Sequence, residues 1–209
     1  GSTCMANVSD STCVVEGLTN GTEYTFTVTA TNPGGTSDPS SASNSVTPGP
    51  VFETVWDTTD VDPGGSGLQQ IRLPLVEDGQ YDFIVDWGDG NFSNIVTGDV
   101  DAGNLSGVTH SYEEQGVKRL TITGTINGWN FQQGVAGSHE RLKLQEVVSW
   151  GSLRLGTPTV QGEYFKGTTN MAVNATDALD LTGTTSLASA FQDAPAFNGA
   201  IGNWDVSAI

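Results

Sequence analysis

The sequence is short of cations. Only 7 of its 209 residues are Lys or Arg, against 24 Asp or Glu, and the formal net charge is -17. A nucleic-acid-binding surface needs clustered basic side chains, so that class is excluded. Long apolar runs are missing too. No stretch approaches the ~20 residues of a membrane-spanning helix, and no transmembrane segment is expected. Gly1-Ser2 leads into ordinary polar sequence, so no secretory leader is expected within these residues. The chain has only two His and two Cys. No His pair has zinc-ligand spacing, and no Ser-His-Asp order with a nucleophile elbow occurs.

What is present argues against full disorder. There are 5 Trp, 8 Phe and 4 Tyr, and apolar residues alternate clearly in several segments. Cys4 and Cys13 are separated by the polar, turn-rich stretch "MANVSDST". Two independent buried thiols are one reading. A local disulfide is the other, and it is favoured because that stretch offers no core to bury a thiol. A formed disulfide implies an oxidising compartment.

Residues 14–48 read as strands and turns. "TNGT" is a turn signal after Leu18. From Tyr24 to Thr31, Tyr24, Phe26, Val28 and Ala30 alternate with threonines, which predicts a half-buried antiparallel strand. A loop, "NPGGTSDPSS", and a last strand, "ASNSVTP", follow. Together, "TNGTEY", "TFTVTATN" and "GTSDPS…SNSVTP" resemble the C-terminal half of a fibronectin type III domain. The resemblance places Tyr24 at the tyrosine that anchors the inter-sheet corner. It also implies that the Tyr24, Phe26 and Val28 face lacks part of its partner sheet.

A second block begins after the Pro48–Pro50 linker. "LQQIRLPLV" alternates through Ile71, Leu73 and Leu75. "QYDFIVDWGDGNFSNIV" reads as strand, tight turn and strand, with Gly88-Asp89-Gly90 at the turn. "VKRLTITGTING" predicts a further strand through Val117, Leu120 and Ile122, although Lys118-Arg119 blurs the pattern. Trp87, Gly88, Asp89 and Gly90, then His110, Tyr112 and Gly116, resemble the PKD family of β-sandwich domains, with a Gly- and Asp-rich insert "TGDVDAGNLSG" between the motifs. His110 beside Asp86 or Asp89 would suit acid–base chemistry. The alternative is structural: His110 and Tyr112 hydrogen-bond the WGDG turn. His139, in "AGSHERLK", is expected to be solvated. Asp57, Asp60, Asp62, Asp86 and Asp89 are candidate calcium ligands, with Asp99 and Asp101 in the insert, although no EF-hand spacing occurs. Acidic loops that serve solubility are the alternative.

The last block repeats. Phe165 aligns with Phe191, and "LDLT" at 179–182 with "WDVS" at 204–207, giving a period near 25. Met171 aligns with Phe197. Such a period predicts a solenoid, whose turns bury their apolar faces by stacking. Leu187, Phe191, Ala194, Phe197, Asn198, Ile201, Trp204, Asp205, Val206 and Ser207 fall in an order that resembles the 25-residue repeat of BspA-like surface proteins. Short strands are expected at "LDL" and "WDV", and a short helix at "TTSLASAF" with Thr185, Ser186 and Ser189 near its start. Phe197 and Trp204 could be read as a sugar-stacking pair. Repeat core is the plainer reading.

The expected fold is therefore mainly β: a partial fibronectin type III sandwich at 1–49, a PKD-like sandwich at 50–146, and a BspA-like leucine-rich-repeat solenoid with short helices at 147–209. These resemblances imply a noncatalytic piece of a secreted or cell-surface bacterial protein, acting in adhesion, ligand display or spacing. Its partners would be an extracellular protein or glycan, or neighbouring copies. An accessory region of a large extracellular hydrolase is one alternative, and a subunit of an extracellular filament is another. No enzyme activity is expected, and calcium is the one cofactor raised. N-x-S/T sequons occur at Asn7, Asn20, Asn91, Asn104 and Asn174, an unsurprising number in a Ser/Thr-rich chain.

Overall fold

A computed structural model describes residues 3–6, 13, 15, 17–101, 103, 105–135 and 137–209. Asn7, Val14 and Asn104 lie outside the described residues. The chain is mainly β and forms two compact units, Gly1–Pro50 and Val51–Ile209.

In the first unit, β1 (Thr31–Asn32) and β2 (Gly35–Thr36) pair antiparallel. Asn32 closes the turn by accepting from the Gly34 amide at 2.8 Å. The two arms below it do not run as an ordinary ladder. The Ser37, Ser40 and Ser43 amides donate to the carbonyls of Ala30, Val28 and Phe26, and the Val46 amide to that of Tyr24. One arm therefore advances two residues for every three of the other. The serine hydroxyls fill the gaps, because the amides of Ala30, Val28 and Phe26 each donate to the Oγ of the same serine, at 3.0 Å. The half-buried strand expected over 24–31 is thus reduced to β1 and a bridge between Tyr24 and Val46. No described residue of this unit is buried, and Val28 is 72% exposed.

The second unit is built on one seven-stranded sheet. Its strands are β3 (Val51–Asp57), β5 (Gln80–Asp86), β6 (Phe92–Val96), β8 (Val117–Asn127), β9 (Leu144–Ser149), β10 (Leu153–Arg154) and β11 (Ala172–Val173). They lie in the order β11-β9-β3-β8-β5-β6, with β10 also alongside β8. β4 (Gln70–Arg72) and β7 (Thr109–Ser111) form a separate antiparallel pair. Alternation decides which side is buried. Phe52 and Trp56 of β3, Tyr81, Phe83 and Val85 of β5, and Leu120, Ile122 and Ile126 of β8 point inward, where Ile71 and Leu73 join the same core. Lys118-Arg119 does not break this pattern. Lys118 lies 4.8 Å from the centre of the Tyr112 ring, while Arg119 faces outward and pairs with Glu53.

The boundary expected at 146/147 falls inside β9. β9 pairs antiparallel with β3 and parallel with β11, so the residues on either side of that boundary share one sheet and one hydrophobic core. Beyond β8 the chain climbs in parallel turns. Ile126 pairs with Leu153, and Arg154 bridges to Asp180. The amides of Glu163, Phe165 and Gly167 donate to the carbonyls of Ala188, Ala190 and Gln192, each at 2.8 Å. The expected helix at 184–191 is absent. Turns occupy residues 188–193, and Ser189 (φ 55°) and Asp193 (φ 58°) adopt left-handed backbone that no helix accepts. Of the strands expected at 179–181 and 204–206, only the Asp180 bridge forms.

Candidate functional site

The WGDG turn collects the residues best equipped for chemistry. It joins β5 to β6, and Gly88 (φ 76°) packs so closely that a Cβ would collide with the Arg119 carbonyl. Asp86 accepts from the Gly88 amide at 2.9 Å, and Asp89 from the Asn91 amide at 3.0 Å. β7 carries His110 to the same place. Its Nε2 lies 2.8 Å from Asp89 Oδ2, and its ring stacks on Trp87 at 4.7 Å. Tyr112 meets the His110 ring edge-on at 4.6 Å and donates its hydroxyl to the Trp87 carbonyl at 3.1 Å. Trp87 in turn donates from Nε1 to Ser93 Oγ at 2.9 Å.

The electrostatics follow from these contacts. Partial burial would raise the Asp89 carboxyl, but the hydrogen bonds from His110 and Asn91 outweigh it, and its pKa lies below the ordinary carboxylate value. Burial pushes the Tyr112 hydroxyl well above the ordinary phenol, with the charges of Asp89 and Asp86 adding to the effect. The arrangement holds Asp89 as an anion against an imidazole wedged between two aromatic rings. Chemically, that is a clamp: the carboxylate and the ring nitrogen facing it satisfy each other.

The five candidate calcium ligands do not converge. Asp57 accepts from the Thr59 amide and hydroxyl at 2.9 and 2.7 Å. Asp60 accepts from Gln145 and Asn170, and Asp62 faces the Arg141 guanidinium at 2.8 Å. Asp86 and Asp89 cap the WGDG turn. In the insert, Asp99 accepts from the Val96 amide and Asp101 from the Gly103 amide. Among the described residues, no three His, Cys, Asp or Glu side chains come together to hold a metal ion. Asp57, Asp86, Asp89, Asp99 and Asp101 each brace a local turn, while Asp60 and Asp62 reach side chains far along the sequence.

Cys4 and Cys13 form a disulfide, with 5.9 Å between their Cα atoms. In the first unit, the Tyr24 hydroxyl accepts from the Thr19 amide at 2.9 Å. In the repeats, Phe197 stacks on Phe191 at 4.1 Å, and Trp204 is buried against Trp150 at 5.7 Å. Neither Phe197 nor Trp204 stands free as a sugar platform. Asn198 and Asp205 act on backbone: Asn198 Oδ1 accepts from the Val173 amide one turn away, and Asp205 from the Ser207 amide.

One polar group was not foreseen. Lys143 is fully buried, and its ammonium is caged by the carbonyls of Ser66, Gly67 and Gln70, Ser66 Oγ and Glu140 Oε2 at 2.6–3.2 Å. Glu140 is buried with it and accepts from the Ser66 amide and hydroxyl. This pair ties loop 63–70 to the start of β9. The spacing Glu140-x-x-Lys143 and the setting of Lys143 between Leu142 and Leu144 were the available signals. His139 lies against Gly64 in the same region and is half-buried, not fully solvated.

No family model, curated protein or solved structure matches this chain. Among the described residues, no helix is long and apolar enough to cross a membrane.

Proposed function

We propose that this chain is a noncatalytic segment of a secreted or cell-surface bacterial protein, serving adhesion, ligand display or spacing. The reading takes 1–49 as the C-terminal half of a fibronectin type III domain, 50–146 as PKD-like, and 147–209 as BspA-like repeats. The observation that carries it is how the reactive side chains are used. His110, Asp89, Tyr112, Glu140 and Lys143 all hold backbone turns or one another, and Phe165, Phe191 and Trp204 fill the space between stacked turns. The Tyr24 hydroxyl on the Thr19 amide supports the fibronectin-like reading, since that domain uses a tyrosine to tie strand to preceding loop. The contacts of His110 and Tyr112 with the WGDG turn support the PKD-like reading, and the three backbone links between residues 25 apart, from 163–167 to 188–192, support the repeat reading. Recognition then falls to exposed strands, loops and the flanks of the stack.

The test pairs binding with turnover. The chain is applied to an array of glycans and extracellular matrix proteins, and in parallel is offered glycoside, ester and peptide substrates. Specific capture without turnover is expected. Turnover that disappears in Asp89→Asn or His110→Gln would overturn the proposal.

A further inference from the structure

β6 ends the large sheet, and among the described residues no strand pairs with its outer edge. The Trp87 amide donates to the Asn91 carbonyl, which fixes the alternation of the β5–β6 ladder. Ser93 and Ile95 therefore bond toward β5, while Phe92, Asn94 and Val96 turn their amides and carbonyls away from it. Asp99 takes the Val96 amide at 2.9 Å, and among the described residues no backbone group pairs with the outward rungs at Phe92 and Asn94. At the opposite end of the sheet, Asn198 already accepts from the Val173 amide of β11.

The outward face beside this edge has a distinct chemistry. Phe92 is 60% exposed, Ile84 53% and Val96 40%. The register sets Phe92 opposite Asp86, and Val96 opposite Asp82. Apolar and acidic side chains therefore alternate across the two outermost strands, with no Lys or Arg on either strand. Edge strands are ordinarily blunted by Lys, Pro or a bulge, and β6 has none of these. A second copy of this chain is a poor occupant, because it would bring like charge against like in a protein of net charge -17.

We propose that the β6 edge is a strand-addition site for an extended, basic segment of another protein, in which Lys or Arg alternates with apolar residues. The backbone of the incoming strand pairs with Phe92 and Asn94. Its Lys or Arg side chains share the outward face, with their stems over Phe92 and Val96 and their charges toward Asp82 and Asp86, while its apolar side chains fall on the opposite face beside Ser93 and Ile95. This inference rests on the sheet geometry and is independent of the adhesive reading above.

The probe is a capped, fluorescein-labelled octapeptide of alternating lysine and valine, titrated at 0.15 M salt. Two controls have alternating glutamate and valine, or the lysine and valine residues in two blocks. The alternating basic peptide is expected to bind at least tenfold more tightly than either control, with amide shifts centred on 92–96. Asn94→Pro removes an outward amide without touching the β5 ladder and is expected to weaken binding at least tenfold. Asp82→Lys, a surface change, is expected to narrow or reverse the preference for lysine over glutamate, which keeps the test valid if the proline variant misfolds. Equal binding of the block peptide would overturn the proposal, as would no binding at millimolar peptide. Dimerisation through β6, lost in Asn94→Pro, would show that a second copy occupies the edge and would overturn it as well.

Discussion

The rings of Phe165 and Phe191 lie parallel, 5.6 Å apart and inclined by only 3°. The two residues occupy equivalent places in successive turns, and Phe131 extends the row at 6.1 Å from Phe165. Beside them, the Phe165 amide donates to the Ala190 carbonyl. The same few ångströms thus hold a backbone link and an aromatic contact, and each turn rests on the next through both.

Phe191→Ala should therefore loosen the stack. It removes the contacts to Phe165, Phe197 and Trp204 together. A loss of about 2 kcal/mol is expected, below that for truncating a fully buried aromatic, because Phe191 is only partly buried. Urea unfolding followed by tryptophan fluorescence measures it. Because the turns share a core with the seven-stranded sheet, the second unit should still unfold in one step at a lower midpoint.

The caged ammonium should respond to single and double replacement differently. Lys143→Met leaves the Glu140 carboxylate buried without its counter-ion and should cost about 3–5 kcal/mol. Adding Glu140→Gln removes the stranded charge and should recover part of that loss. A double-mutant cycle in denaturant gives the coupling; strictly additive effects would mean the two groups act separately.

Acid should weaken the second unit through its engaged carboxylates. Asp78, Asp89 and Asp180 all have pKa values below the ordinary 3.8, because hydrogen bonds to the charged form outweigh partial burial. Between the lowered native value and 3.8, the unfolded chain binds more protons, so stability rises with pH there. The contribution is present above about 3.8 and is lost as pH falls through the native values. Asp89→Asn should make the acid limb of a plot of melting temperature against pH shallower. An unchanged slope would contradict this account of the His110 contact.

Reduction of the Cys4–Cys13 bridge should act on the first unit alone. Closing so short a loop is worth about 2–3 kcal/mol in the chain-entropy picture. Proteolysis within 1–50 should accelerate in reductant, while the melting temperature of 51–209 stays fixed.

Much of this arrangement was legible in the sequence, for identifiable reasons. Alternation around Phe83 and Val85 marked β5, and the WGDG glycines marked the turn. The polar stretch between Cys4 and Cys13 argued for their bridge, and aligning Phe165 with Phe191 paired two residues whose rings stack. What stayed hidden depends on three-dimensional context. "TTSLASAF" has helical composition, but stacking demands a tight corner there, and Ser189 takes a left-handed conformation to make it. Leu144–Ser149 reads as a continuation of the second block, but nothing local says that it pairs with β3, because strand pairing is a long-range event. The cage around Lys143 is assembled mainly from backbone carbonyls, which carry no sequence signature.

Amide hydrogen exchange on the intact chain tests the central claim, that the seven-stranded sheet and the stacked turns form one scaffold with a continuous interior. The amides of Glu163, Phe165 and Gly167 should exchange with opening free energies close to those of Leu120 and Ile122 in β8. Rapid exchange at 163–167 while β8 remains protected would contradict it, because the turns would then be a loose appendage to an independent sheet.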